Sequence, residues 1–183
     1  VQDRVGACRD KECPPGVVRA HEESDKYPFQ VYEKMGAAGW CGLGLPTSCG
    51  GTGGSAMDLA VMFESISRHW MGLAAIYHTA AVFPMCILHF GSAQQQDTYL
   101  LGIGAGRLRF AFGLTEPGAG SDASAVKTSA VRQGDDFVLN GSKVFTSGAD
   151  VAHRIAVVAR TDPGARGAKG LSVFLVDAKA NGL

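Results

Sequence analysis

FAFGLTEPGAGSD, residues 110–122, marks the point where the chain changes character. Upstream of it apolar residues recur at helical spacing; from Arg109 onward they alternate. Phe110, Phe112 and Leu114 fall on one face of a strand, which then breaks into Thr-Glu-Pro, glycines, a serine and an aspartate. Pro117-Gly118 forces a turn, and Gly120 lets the backbone come close to a ligand. Successive N–H groups turned into one concavity form an anion nest, to which Thr115 and Ser121 add hydroxyls. Such a device holds a diphosphate without Lys or Arg. Taken alone, the stretch reads first as a plain strand-to-strand turn.

Further strands follow. Residues 126–131 and 137–139 alternate and are joined at Gly134-Asp135. Asn140-Gly141 is the strongest short hairpin signal in the chain, because both positions tolerate the positive φ of a type I′ turn. Residues 155–159 and 171–176 are apolar strands. No helix-length periodicity separates any of these, so an antiparallel sheet or barrel is expected rather than a parallel Rossmann sheet.

Before residue 108 the signals are helical. Residues 1–26 are hard to read, and Cys13-Pro14-Pro15-Gly16 breaks any helix begun upstream. Pro28 suits a first helical turn, with Phe29, Tyr32 and Met35 at helical spacing and Gly36 and Gly39 closing the helix. CGLGLPTSCGGTGGS, residues 41–55, lacks the Gly-Lys-Ser/Thr of a phosphate loop and reads as a flexible connector. Ser55 with Asp58, and Ser92 with Gln95, form capping boxes. The first opens a helix with Leu59, Met62, Phe63 and Ile66 as its buried stripe; the second opens a short helix ending near Gly102.

Residues 71–90 contain no Asp, Glu, Lys or Arg and are nearly long enough to span a bilayer. His78, Pro84 and His89, with anchors (Arg68, Trp70) at one end only, favour a buried core helix. The two histidines read as core or interface residues rather than ligands, and Arg107 and Arg109 as solvated surface. The predicted fold is α+β: an N-terminal antiparallel helical bundle, residues 1–108, followed by an antiparallel β-barrel-like domain, residues 109–183.

Seventeen basic residues balance seventeen acidic ones, so no long-range field draws in nucleic acid or an anionic membrane. Cys8, Cys13, Cys41, Cys49 and Cys86 are scattered, with no C-x-x-C pair and no His cluster at ligand spacing, which argues for idle thiols in a reducing compartment and against zinc. No secretory leader is read at the start, and Val in first position suggests a trimmed or incomplete N-terminus.

A second constellation, LNGSKVFTSGA at residues 139–149, again combines an aromatic with adjacent hydroxyls. Together the two segments resemble the acyl-CoA dehydrogenase family. Its middle β-domain carries T-E-P-G-x-G-S-D, then G-D-x-[YF]-V-L-N-G-x-K and an aromatic–aliphatic–hydroxyl triplet. Here these are LTEPGAGSD, GDDFVLNGSK and Phe145-Thr146-Ser147. TDPGARGAKGLSVFLVD, YPFQVYEKMGAAGWCGLGLP and GGTGGSAMDLAVMFE match as well, so the resemblance runs from about residue 25 to the last.

The resemblance implies that the opening stretch cradles FAD. Phe112, Leu114 and Thr115 would flank the isoalloxazine ring, with Thr115 at its polar edge. Gly120 and Ser121 would meet the diphosphate, and Ser121 also the acyl-CoA thioester. Phe145 would pack against the ring, and Ser147 would bond near the reactive flavin nitrogen. Thr146 stands where the family usually has an aliphatic residue.

The implied activity, typical of fatty acid metabolism, is α,β-desaturation of an acyl-CoA: a base removes the α proton while hydride leaves the β carbon for the flavin. The family's base is a glutamate of a C-terminal helical domain, or in some members a neighbouring helix. No catalytic base is assigned among these residues, Glu64 and Glu116 included. The sequence covers about half of the family's usual length, which implies an incomplete chain. The expected partners are an acyl-CoA, an electron-transferring flavoprotein or similar acceptor, and further copies in a homotetramer. The expected location is bacterial cytoplasm or mitochondrial matrix. The alternatives are an acyl-CoA oxidase or flavin monooxygenase relative on the same scaffold, and a catalytically incomplete partner subunit.

Overall fold

The computed structural model describes residues 11–24 and 26–183; Cys8 lies outside the described residues. These fall into two compact units that part between Arg109 and Phe110.

The first unit is helical: α1 (Pro15–Ser24), α2 (Phe29–Ala37), α3 (Ala56–Ser67), α4 (Met71–Phe90) and α5 (Ala93–Gly104). Helical residues 11–12 stop before Cys13-Pro14, as expected, and Pro15 then opens α1, because a proline in the first turn forfeits no hydrogen bond. Both capping boxes form. The Ser55 hydroxyl accepts from the Asp58 N–H at 3.2 Å while the Asp58 carboxylate accepts from the Ser55 N–H at 2.8 Å. Ser92 and Gln95 repeat the exchange at 3.2 and 2.9 Å.

By length and composition α4 is apolar enough to cross a membrane. In this unit Leu73, Tyr77, Ala80, Ala81, Pro84 and Ile87, three and four residues apart, are buried. Tyr77 lies at the centre of the core and donates its phenol to the Trp40 carbonyl at 2.9 Å. His78 and His89 are exposed, so of the two expected settings, core or interface, the core one does not hold: the helical turn carries them off the buried stripe. Arg109, expected as solvated surface, stands over the rings of Tyr27 and Phe29 at 5.9 and 5.0 Å, a cation–π arrangement.

The glycine-rich stretch 41–55 is not a flexible connector. Cys41, Leu43 and Leu45 are buried, and the chain folds back so that Gly53 and Gly54 donate to the carbonyls of Leu45 and Leu43 at 2.9 and 2.7 Å. A Cβ at Gly51 would lie 2.1 Å from the Leu45 carbonyl oxygen, so the two limbs touch only because the side chain is missing.

The second unit is one five-stranded sheet: β1 (Phe110–Gly113), β2 (Ser129–Gln133), β3 (Asp136–Asn140), β4 (Arg154–Arg160) and β5 (Leu171–Asp177), in the order β1-β4-β2-β3 with β5 also on β4. The sheet corrects two expectations: it is mixed rather than wholly antiparallel, and it is open rather than barrel-like. β1 runs parallel to β4 (Phe110↔Arg154 to Gly113↔Val157), as does the start of β2 (Ser129↔Arg160). A parallel neighbour needs a long crossover. Here the crossover from β1 to β4 is made of loops and the β2–β3 hairpin instead of a helix, so no helical periodicity announced it.

β2 and β3 pair through the expected Gly134-Asp135 turn, with Gly134 at φ 63°. β2 starts at Ser129 rather than 126, because the N–H groups of Lys127 and Thr128 go to a carboxylate instead of a strand. Asn140-Gly141 makes no hairpin: Asn140 pairs with Ser129 at the end of β3, and the next strand begins only at Arg154. A Cβ on Gly141 would meet Thr128 Oγ1 at 2.3 Å and its Cα at 2.6 Å, so this glycine serves close approach, not a left-handed turn. Gly141→Ala should therefore destabilise the second unit by about 1–3 kcal/mol, as overpacking does. A urea denaturation midpoint equal to wild type would refute that role.

Candidate functional site

β1 delivers the chain into the stretch that opened the sequence analysis. After Gly113, Leu114 and Thr115 leave the sheet half-buried. Glu116 and Ala119 then exchange N–H···O bonds of 3.0 and 3.1 Å, closing a tight turn over Pro117-Gly118. Neither Gly118 nor Gly120 adopts the left-handed region, so the nest expected there is not built from a left-handed residue. A Cβ at either glycine would have nothing within 4 Å. Asp122 turns back on the chain, accepting from the Ser124 N–H at 3.0 Å and its hydroxyl at 2.6 Å.

The second segment comes alongside the first. The Val144 N–H donates to the Thr115 carbonyl at 2.9 Å, and the Lys143 ammonium donates to the Leu114 carbonyl at 3.0 Å. Leu114 and Thr115 are thereby brought beside the run leading to Phe145, Thr146 and Ser147. Gly120 and Ser121 lie beyond the turn, and no hydrogen bond joins them to residues 145–147 among the described residues. Phe112 remains on β1, opposite Ala156 of β4, with 38% of its surface exposed.

The hydroxyls of Thr115, Ser121, Thr146 and Ser147 have no hydrogen-bond partner among the described residues. The Phe145 ring is 90% exposed, and its backbone takes φ 58°, the only left-handed non-glycine among the described residues. Unspent hydroxyls, an exposed aromatic and an unobstructed glycine turn form a donor and stacking set that suits a phosphorylated aromatic ligand.

Sequence reasoning did not find the groups that hold this arrangement. Glu116, 8% exposed, accepts from the Thr128 hydroxyl, from the N–H groups of Lys127 and Thr128 at 2.7 and 2.8 Å, and from Lys143 Nζ at 2.9 Å. Burial pushes its carboxyl up, but the hydrogen bonds from Thr128, Lys127 and Lys143 overrule it and hold the group at about 2. Arg160 secures the returning limb: Nε donates to the Val126 carbonyl at 3.1 Å and Nη2 to the Ser124 carbonyl at 2.7 Å. The available signal was an acidic residue in an apolar, glycine-rich run; its partners, 11 to 27 residues away, follow no local spacing. In the first unit, Cys41 is buried and its thiol is pushed up to about 12 by that burial, which leaves it no nucleophilic role.

Residues 1–107 match the family model for the acyl-CoA dehydrogenase N-terminal domain, and residues 111–183 the model for the acyl-CoA dehydrogenase middle domain. The chain is 36% identical to the CarC subunit of the caffeyl-CoA reductase–Etf complex of Acetobacterium woodii, over 95% of this chain and 46% of that protein. It is 33% identical to the short-chain specific acyl-CoA dehydrogenase of Clostridium acetobutylicum, over 97% of this chain and 46% of that one. The crystal structure of a probable acyl-CoA dehydrogenase from Mycobacterium abscessus is similar at a TM-score of 0.90 and 30% identity, covering 99% of this chain and 48% of that chain. The chain thus spans about half the length of the curated relatives it matches.

The depressed Glu116 carboxyl makes a pH prediction. Its folded value of about 2 lies below the ordinary 4.5, so its stabilising contribution is complete above about pH 4.5 and is lost as pH falls towards 2. Urea midpoints followed across that window should fall more steeply for wild type than for Glu116→Gln. Parallel profiles would refute the assignment.

Proposed function

The chain belongs to the acyl-CoA dehydrogenase family, and from that premise we propose that its second unit binds FAD and an acyl-CoA for α,β-desaturation of the thioester. The observation that carries the reading is the junction of residues 114–115 with residues 143–144, which puts unspent hydroxyls and an exposed aromatic on adjoining segments. When bound, FAD supplies the acceptor for the hydride that leaves the β carbon.

The chain's own residues bind and orient. Thr115 and Ser147 offer hydroxyls to the polar edge of the flavin ring, and the Phe145 ring offers a face to stack on, with Phe112 and Leu114 as apolar neighbours. Gly120 and Ser121 offer backbone and hydroxyl donors to the diphosphate, Ser121 also to the thioester, and Thr146 adds a hydroxyl beside them. The base that takes the α proton is assigned to none of these residues. Glu116 is unsuited to that work, being held ionised and fully engaged by Thr128, Lys127 and Lys143. An electron-transferring flavoprotein as acceptor, assembly into a homotetramer and a bacterial cytoplasmic setting complete the proposal.

A second reading is favoured by the A. woodii relative, whose name gives it as a reductase subunit in an Etf complex. The same site would then work in the direction of enoyl thioester reduction. Anaerobic titration of the full-length protein separates the two. Bleaching of the visible flavin band by saturated acyl-CoAs supports desaturation. Reoxidation of the pre-reduced flavin by enoyl-CoAs alone supports reduction, and the absence of a flavin band sinks both.

Because the hydroxyls of Ser121 and Ser147 have no hydrogen-bond partner among the described residues, Ser121→Ala and Ser147→Ala should leave the thermal midpoint in place. Each should weaken FAD binding about two- to tenfold, the effect of one hydrogen bond of about 0.5–1.5 kcal/mol. Flavin fluorescence titration measures it, and unchanged dissociation constants for both variants would remove these residues from the site.

A further inference from the structure

The two segments of the candidate site are irregular, and among the described residues only one backbone hydrogen bond, Val144 to Thr115, joins residues 114–122 to residues 143–147. A single bond leaves their spacing loosely set. The remaining ties run through one side chain: Lys143 Nζ bridges the Leu114 carbonyl at 3.0 Å and Glu116 Oε1 at 2.9 Å. This pair is shielded from water, the two side chains being 12% and 7% exposed. Glu116 is gripped from its other side by Lys127 and Thr128, so Lys143 is held to a carboxylate that is itself immobile.

A buried ion pair is a poor way to gain stability, since apolar residues of similar size serve as well or better. What it supplies is fixed geometry. Two residues past Lys143 the backbone takes the left-handed turn at Phe145, φ 58°. A non-glycine in that region is strained and persists where the surroundings over-determine it. The Phe145 ring is 90% exposed, so packing of its own side chain does not hold the turn. The contacts at hand are the Ser147 N–H donating to the Phe145 carbonyl at 3.1 Å and the anchored chain immediately upstream.

We propose that the Glu116–Lys143 pair is a positioning device that sets the flavin-loop segment and residues 145–147 at their working separation before the cofactor arrives. This rests on the flavin reading above. Neither residue touches the cofactor; both act through Thr115, Phe145 and Ser147. The competing account is that Lys143 only neutralises a carboxylate needed to anchor residues 127–128.

The test uses the full-length protein freed of flavin, as wild type, Lys143→Arg, and the double variant Lys143→Met/Glu116→Gln, which removes both charges and strands neither. The amide of Val144 should be protected from hydrogen exchange in the wild-type apoprotein and in Lys143→Arg, which keeps charge and reach. In the double variant that protection should be largely lost and FAD should bind about tenfold more weakly, the effect of a hydrogen bond to a charged group. The visible circular dichroism of bound flavin should change as well. Wild-type affinity and dichroism in the double variant would overturn the proposal. So would a wild-type Val144 amide that exchanges freely until FAD is added, a result that decides the matter even if the double variant fails to fold. A wild-type protein that never binds FAD sinks the flavin reading instead, and the exchange data then still report on the tether.

Discussion

A carboxylate removed from water must find replacements for its lost hydration, and in the second unit that requirement organises the chain around Glu116. The replacements are the Thr128 hydroxyl, two backbone N–H groups and the Lys143 ammonium. They come from segments that no secondary-structure pairing would hold together at this point. Removing one partner leaves the others facing an uncompensated charge, so the arrangement is satisfied as a whole or not at all. The late start of β2 and the placement of Lys143 both go with where this group is buried.

β4 provides the frame on which that network sits. It pairs with β1, β2 and β5, and its last residue, Arg160, reaches back to the carbonyls of Ser124 and Val126. The loop between β1 and β2 is thus fastened at both limbs, by Glu116 at its departure and by Arg160 at its return. Between the fastenings Gly118, Gly120 and Ser121 stay exposed. A loop held at its ends and open at its tip can meet a ligand without paying the full entropy of ordering. The first unit reaches its order differently, through two capped helices, the apolar stripe of α4 and a glycine-rich stretch folded against itself.

The chemistry follows the same division of labour. Groups engaged with the protein, Glu116 and Lys143 above all, are spent on structure, whereas the hydroxyls of Thr115, Ser121, Thr146 and Ser147 have no hydrogen-bond partner among the described residues. In a family whose cofactor takes the electrons, the protein's contribution is placement, and an arrangement rich in anchors and poor in reactive side chains is consistent with that role.

Local chemistry determined much of this in advance. The capping boxes at Ser55 and Ser92, the buried stripe of α4, the Gly134-Asp135 turn and the strands 155–159 and 171–176 each depend on residues close in sequence, where spacing alone fixes the partner. The motifs that marked the candidate site were legible for the same reason, being short runs of turn residues and hydroxyls. Tertiary structure decided the rest. Asn140-Gly141 looked like a hairpin because its own φ preferences allow one, yet the approach of Thr128 governs it. β1 and β2 lie parallel to β4 because a long crossover without a helix carries no periodic signal. Glu116 and Lys143 met across 27 residues because a buried charge is satisfied by whatever the fold brings within 3 Å, and sequence spacing does not encode that distance.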